Sequence, residues 1–234
     1  MKIAFFSSAL LVASTAMGAT PINGWYSSIF SGANYIPDNL SVTRHFALTD
    51  TFFDPGYKFT LTNAAYDIGY DVGLRLGFQC NPIRYEAEVT YLNAEVEHFS
   101  INKLRQNRAS GDIDSFFAMA NIYYDFPDMV PAISPFLGVG LGYGWISGNY
   151  NKNFYYYPTS YSLPLYYAIN YSSSNSVFAY QVTGGLTYNF SENYAFTLAY
   201  RYIGTDRVEG LGKVFQAHLA TAGVLYRFNE INYK

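Results

Sequence analysis

Tyr66-Asp67-Ile68-Gly69-Tyr70-Asp71-Val72-Gly73-Leu74-Arg75-Leu76-Gly77-Phe78-Gln79 alternates without a break. Its even positions are apolar or aromatic, and its odd positions are charged, amide or glycine. Side chains of a strand point to opposite faces in turn, so one face here is wholly apolar and the other polar or small. A helix would scatter both sets around its circumference. About 13 residues of strand suits a tilted membrane crossing.

The same period of two recurs along the chain. After a Cys80-Asn81-Pro82 turn, Ile83, Tyr85, Ala87, Val89 and Tyr91 share one face, and Arg84, Glu86, Glu88 and Thr90 the other. Leu137, Val139, Leu141, Tyr143 and Trp145 alternate with Gly138, Gly140, Gly142 and Gly144. Alternating segments also cover 178–190, 194–202 and 215–228. The segment 113–126 sets Phe116, Ala118, Ala120, Ile122 and Tyr124 against Asn121 and Asp125. The segment 24–33 opens on Trp25, Ser27 and Ile29 against Tyr26, Ser28 and Phe30, and neither set is clearly the apolar one. The count is eight strands.

Composition agrees. Of the 234 residues only 13% are charged, against roughly 25% in an ordinary soluble domain. Half of the chain is hydrophobic and 20% aromatic, yet mean hydropathy is −0.01. Past the first twenty residues no apolar run approaches the ~20 needed for a spanning helix. A net charge of −3 and a pI near 5.5 supply no basic patch, so no nucleic-acid partner is expected. Lys2, the apolar run Ile3 to Val12 and the small residues around Met17 have the pattern of a signal peptide over 1–19, leaving 20–234 as the mature domain with strands over about 24–228. Cys80 is the one cysteine and forms no intramolecular disulfide.

Connections alternate as well. Three are short, around Asn81-Pro82, Pro127 to Ser134 and Ser191 to Asn193; four are long, about 34–65, 95–112, 147–176 and 204–214. Short periplasmic turns and long extracellular loops are how outer-membrane barrels are built. A charge on a lipid face costs about 2–4 kcal/mol for Arg or Lys near the midplane, and the five cleanest strands place none on the apolar face. The apolar face therefore reads as lipid-facing, and closure alone satisfies the sheet's edges in hydrocarbon. Eight strands leave a lumen narrow enough for side chains to fill, with the glycines of 136–145 giving room to larger neighbours such as Arg and Glu. The expected fold is all-β, an eight-stranded antiparallel up-and-down transmembrane β-barrel with both termini in the periplasm.

Six fragments carry a family likeness in order: Gly24-Trp25-Tyr26, Arg84-Tyr85-Glu86-Ala87-Glu88, Asn121-Ile122-Tyr123-Tyr124-Asp125-Phe126, Pro135-Phe136-Leu137-Gly138-Val139-Gly140, Tyr200-Arg201-Tyr202 and Gly223-Val224-Leu225-Tyr226-Arg227-Phe228. Together the chain resembles the OmpA-like and opacity-type outer-membrane β-barrels, a family with many bacterial surface antigens. The resemblance covers almost all of the mature chain and implies the barrel alone, in a Gram-negative outer membrane. Members commonly end on an aromatic residue; here Phe228 ends the alternation and 229–234 follow, a tail expected to be tolerated.

Two groups of residues are candidates for function. The inward list holds Asp67, Asp71, Glu86, Glu88 and Asp125 with Arg75, Arg84, Arg201 and Arg227. Buried charges need partners, so these read as a cross-barrel ion-pair network, either a structural plug or the lining of a gate or narrow ion pathway. Loop 147–176 is rich in Tyr, Asn and Ser, with Tyr155, Tyr156, Tyr157, Tyr161, Tyr166 and Tyr167. Such residues make adaptable recognition surfaces; an extended hairpin with stacked tyrosines is the compatible structural account. The second loop's Lys103, Arg105 and Arg108 can touch lipopolysaccharide phosphates by charge, although a solvated loop is the expected account of that cluster.

His45, His98 and His218 stand apart from one another in sequence, with no metal-ligand or nucleophile spacing, so neither cofactor nor metal nor enzymatic activity is expected. The function expected is a structural surface protein, antigen or adhesin acting through its loops. A small ion or solute pore is the alternative, and a lipid-modifying barrel enzyme a more distant one. Expected partners are outer-membrane lipid, lipopolysaccharide and a host or surface ligand, with the chain itself monomeric.

Overall fold

The computed structural model describes residues 23–37, 46–47, 58–59, 61–101, 104–107, 110–126, 132–156, 165–208 and 213–228. The segment 1–19, expected to be a signal peptide, together with Tyr157, Tyr161, His45 and the tail 229–234, lies outside them. Eight long strands build the barrel: β1 (Gly24–Tyr35), β2 (Gly69–Cys80), β3 (Ile83–Ile101), β4 (Ser110–Asp125), β5 (Ile133–Tyr156), β6 (Leu165–Asn189), β7 (Tyr194–Val208) and β8 (Lys213–Arg227). Each pairs antiparallel with the next, and β8 pairs back onto β1 from Tyr26↔Arg227 to Tyr35↔His218, which closes the sheet. Leu61–Tyr66 and Leu104–Asn107 add to the upper part of β3, and Phe46–Ala47 pairs with Lys58–Phe59 apart from the barrel.

The alternation expected from sequence holds through the middle of every strand. Leu74, Leu141, Leu198 and Val224 are about half exposed on the outer wall, while Arg75, Arg84, Glu86, Glu88 and Arg201 are buried within. On β1 the faces resolve: Tyr26, Ser28 and Phe30 point inward, and Trp25 and Ile29 outward. Tyr26 and Phe30 fit because their register partners are Gly77 and Gly73, where a Cβ would strike their rings.

The glycines of β5 do the same for β4, and this corrects one expectation. Gly138, Gly140, Gly142 and Gly144 pair with Tyr123, Asn121, Met119 and Phe117, so the room goes mainly to aromatic, amide and thioether side chains and not to Arg or Glu.

Much of what reads as loop is strand. β3 runs to Ile101, and β5 and β6 pair to Tyr156↔Leu165, so most of 95–112 and 147–176 continues the sheet beyond the outer belt of rings. Alternation persists there with its polarity reversed. On β3, Leu92, Ala94 and Val96 point inward while Asn93, Glu95 and Glu97 face out. On β4, Ile113 is inward and Asp112 and Asp114 outward; on β5, Ile146 is inward and Ser147 and Asn149 outward. This is ordinary inside-apolar packing for a sheet in water. The switch therefore marks where the apolar surroundings end.

Aromatic rings flank the apolar wall at both levels. Tyr70, Tyr91, Phe116, Trp145 and Phe178 form the belt at the long-loop end, and Trp25, Phe78, Tyr124, Phe190 and Tyr226 the belt at the short-turn end. From Tyr70 to Phe78, at ~3.3 Å per residue and a ~40° tilt, the rise is about 20 Å, comparable to the ~25 Å apolar band of such barrels once the rings' own reach is added.

Candidate functional site

Eight charged side chains line the lumen from just inside the Tyr70 belt to the short-turn end with alternating sign: Asp71, Arg201, Glu88, Arg75, Glu86, Arg84, Asp125 and Arg227. They come from β2, β3, β4, β7 and β8, since strand parity turns each of them inward. Glu88 is the hub. Arg75 Nε lies 2.9 Å from its Oε2, Arg201 Nη2 bonds its Oε1, Thr90 Oγ1 donates at 2.8 Å and Asn121 Nδ2 at 3.2 Å. Arg75 also reaches Glu86 Oε2 at 3.6 Å, and Glu86 Oε1 takes hydrogen bonds from Tyr26 Oη and, at 3.3 Å, Arg84 Nη1. Arg84 Nε completes the run on Asp125 Oδ2 at 2.8 Å.

The two ends of the stack differ from its middle. Arg227 is held by Gln79 Oε1 at 3.2 Å and Asn189 Oδ1 at 2.8 Å, with no carboxylate in ion-pair contact among the described residues. Asp71 is fully buried, and neither of its oxygens has a hydrogen-bond partner among the described residues. It lies within electrostatic reach of Arg201 and Arg75. The Arg75 and Arg201 guanidinium carbons lie over the Phe30 ring, 3.9 Å and 4.9 Å from its centroid. Such contacts add to ion pairing where water is excluded.

Asp67 is not part of this stack. The strand breaks at Asp67-Ile68 between Leu61–Tyr66 and β2, so Asp67 emerges exposed, its backbone N–H on Glu95 O at 3.0 Å, while Tyr66 turns inward and is buried. The unbroken alternation of 66–79 conceals that interruption. Of the tyrosines singled out in 147–176, Tyr155 and Tyr156 fall on β5 and Tyr166 and Tyr167 on β6, with Tyr166 paired to Tyr155. The polar partners Gln79, Asn121, Gln181 and Asn189 were not among the candidates, although their inward parity was readable from the strands that carry them.

Above the charges the lumen changes character. Ile36, Leu92, Ile113, Phe117, Ile146, Ile203, Phe215 and Leu219 pack into one buried cluster across the barrel at its long-loop end, with Phe117 and Phe215 rings 5.9 Å apart. Outside the wall at this level, Tyr91 Oη and Asn93 Nδ2 donate to Asp114 Oδ1. Burial acts to raise the Asp114 carboxyl, but the hydrogen bonds from Tyr91, Asn93 and Asp112 outweigh it and hold it below the ordinary range. Asp112 is pushed up, first by burial and then by its hydrogen bond with Asp114, against the opposing bond from Asn149. Among the described residues no group of His, Cys, Asp and Glu has the arrangement of a metal site.

The closed sheet agrees with what comparison with known proteins finds. The model of the outer membrane protein beta-barrel domain covers residues 8–228. The chain belongs to this family. An outer membrane protein of Gluconacetobacter diazotrophicus is 28% identical over 224 residues, which take in 90% of this chain and 54% of that protein, so the chain spans about half the length of that relative. Neisserial surface protein A (NspA) has the same fold, with a TM-score of 0.53 at 15% identity over 88% of this chain and 97% of its own. OprG from Pseudomonas aeruginosa gives 0.46 at 15% identity, over 89% and 98% respectively. As an outer-membrane barrel the chain resides in the outer membrane with its apolar wall in lipid.

Proposed function

We propose that this outer-membrane barrel is a closed anchor that acts at the cell surface through the hairpins of its long-loop end. The observation that carries the reading is the apolar cluster around Phe117 and Phe215, which packs across the lumen at the long-loop end of the charge stack. A solute path needs a continuous polar lining or room to wet, and that layer supplies neither. The short turns then face the periplasm, and the β5–β6 ribbon, rich in Tyr, Asn and Ser, stands outside as the recognition element. Lipid and lipopolysaccharide contact the wall, a host or surface ligand contacts the ribbon, and the chain is a monomer within its membrane.

A small pore is the second reading. It is favoured by the buried polar atoms of Asp71, Arg75, Arg84, Arg201 and Arg227 that no described protein group satisfies, a lining of the kind ion pathways use. An enzymatic role has less to support it: the lumen carboxylates Glu86, Glu88 and Asp125 are paired with arginines, and His218 Nδ1 lies 2.6 Å from Tyr200 Oη on the outer wall.

Refolded protein in planar bilayers decides between the first two. The closed anchor gives no single-channel steps above background, and resolved steps overturn it. A binding screen on intact cells, repeated with 147–176 trimmed to a short turn, tests the hairpin. Binding is expected to disappear, and unchanged binding rejects the recognition role. An altered lipid A mass spectrum in expressing cells is the sign of an enzyme.

A further inference from the structure

We infer that the β5–β6 ribbon ends in an open sheet edge that takes up one more strand, and that the occupant is the same edge of a second copy in a facing membrane. This deepens the surface reading above and rests on it for the ribbon's place outside the cell.

β6 keeps β5 as its partner along almost its whole length, from Leu165↔Tyr156 to Tyr188↔Ile133, without a register shift. It pairs with β7 only from Ala179↔Thr205 downward. Among the described residues, 165–178 therefore have no strand on their β7 side, an edge roughly 45 Å long at ~3.3 Å per residue. Every second residue of a strand turns its N–H and C=O toward a given neighbour, so among the described residues this edge is a row of unpaired donors and acceptors.

Natural edges are blunted by charge, proline, bulges or shortness. Residues 165–178 read Leu-Tyr-Tyr-Ala-Ile-Asn-Tyr-Ser-Ser-Ser-Asn-Ser-Val-Phe, with no charge, proline or glycine. Three other strand ends at this rim are protected. β5 beyond its last pair with β4, Ser110↔Asn151, is short and carries Lys152. The upper part of β3 is covered by Leu61–Tyr66 and Leu104–Asn107, and β7 shifts register between Gly204 and Arg207.

The page also says which strand fits. On the open side the charged side chains next to the edge are Asp206 and Arg207 at the end of β7, one of each sign and both exposed, and the edge itself is neutral, so two copies meet along it without like-charge repulsion at the seam. Pairing an edge antiparallel with its own copy is two-fold symmetric and consumes both edges, so it stops at two chains. Antiparallel pairing requires the two β6 strands to run in opposite directions. Copies in one membrane run the same way, and copies in facing membranes run oppositely.

The test uses the full chain refolded into phosphatidylcholine vesicles with the ribbon outward, checked by protease clipping, with clustering followed by light scattering. Parent vesicles are expected to cluster. Ser172, Ser174 and Ser176 are exposed on this edge strand, and in a seam centred on Ser174, where Ser172 lies opposite Ser176, the triple variants S172K/S174K/S176K and S172E/S174E/S176E are each expected to slow clustering roughly tenfold or more through repeated like-charge cross-strand contacts. Mixing Lys vesicles with Glu vesicles restores it. A heat-modifiable gel shift confirms that each variant is folded. Failure of parent vesicles to cluster, clustering that survives either variant, a mixture that stays dispersed, or clustering that needs another protein overturns the inference. Failure of the closed-anchor reading shows separately, as channel conductance in the same preparation.

Discussion

Glu88 accepts from two guanidiniums, a threonine and an amide at full burial, so its loss strands Arg75 and Arg201 in a lumen without water's compensation. Breaking a buried pair from one side costs about 3–5 kcal/mol. Glu88→Ala is expected to lower the urea midpoint of the micelle-folded protein by that order, with Glu88→Gln recovering part of it through its remaining acceptor. A Glu88→Ala loss below about 1 kcal/mol would mean the stack contributes little. Asp112 predicts a change of opposite sign. Its carboxyl is raised, so the folded chain holds that proton more tightly than the unfolded chain does. Its contribution to stability is present in acid and is lost as pH rises from the ordinary carboxylate range through the raised value. Asp112→Asn keeps the acceptor for Asn149 and removes the charge beside Asp114. A small gain in midpoint at pH 7 that vanishes at pH 3 is expected; an equal shift at both pH values rules out the titration. At this scale Arg84, Glu86 and Glu88 were legible from parity alone. Asp67 was misplaced because a two-residue strand break leaves the apolar–polar rhythm intact, and Tyr26 and Phe30 required the cross-strand glycines that only register reveals.

At the scale of the strand, what alternation means depends on the medium outside the wall. Between Tyr91 and Leu92 the apolar parity changes from odd to even while the backbone continues unbroken to Ile101. Read linearly, that change resembles a strand end, which is why the extracellular halves of β3, β5 and β6 pass for loops. The same change predicts a boundary for substitution. Arg at Leu141 or Leu198, on the lipid wall, is expected to cost about 2–4 kcal/mol near the midplane and to block folding into lipid vesicles, while Arg at Val72, just inside the Tyr70 belt, costs less. Ser174→Arg, on the polar outer face of β6, is expected to fold as the parent does. Gel-shift folding yields in vesicles check both, and equal yields for the two classes would refute the assignment of the wall.

For the whole molecule, closure of the sheet sets the function available, and the lumen has two layers, of which sequence reasoning found only the charged one. The charged layer was legible because buried Arg and Glu alternate with a clean apolar wall. The apolar layer was not, because Phe117 and Phe215 fall on inward parity beside segments whose outward face is polar, and only the closed sheet brings β4 and β8 across from each other. If the apolar layer is the seal, Phe117→Ala with Phe215→Ala removes ring volume from its centre while leaving the Glu88 hub and the lipid wall untouched. The double variant is expected to remain folded by gel shift, with a lower urea midpoint, since each Phe→Ala truncation costs about 3–5 kcal/mol in a packed core. In planar bilayers it is expected to pass small monovalent ions where the parent passes none. A folded double variant that stays silent would move the seal down to the Glu88–Arg201 layer. Adding Arg201→Ala to that variant would then open the path, because the cation that bridges β7 to β3 across the lumen is gone.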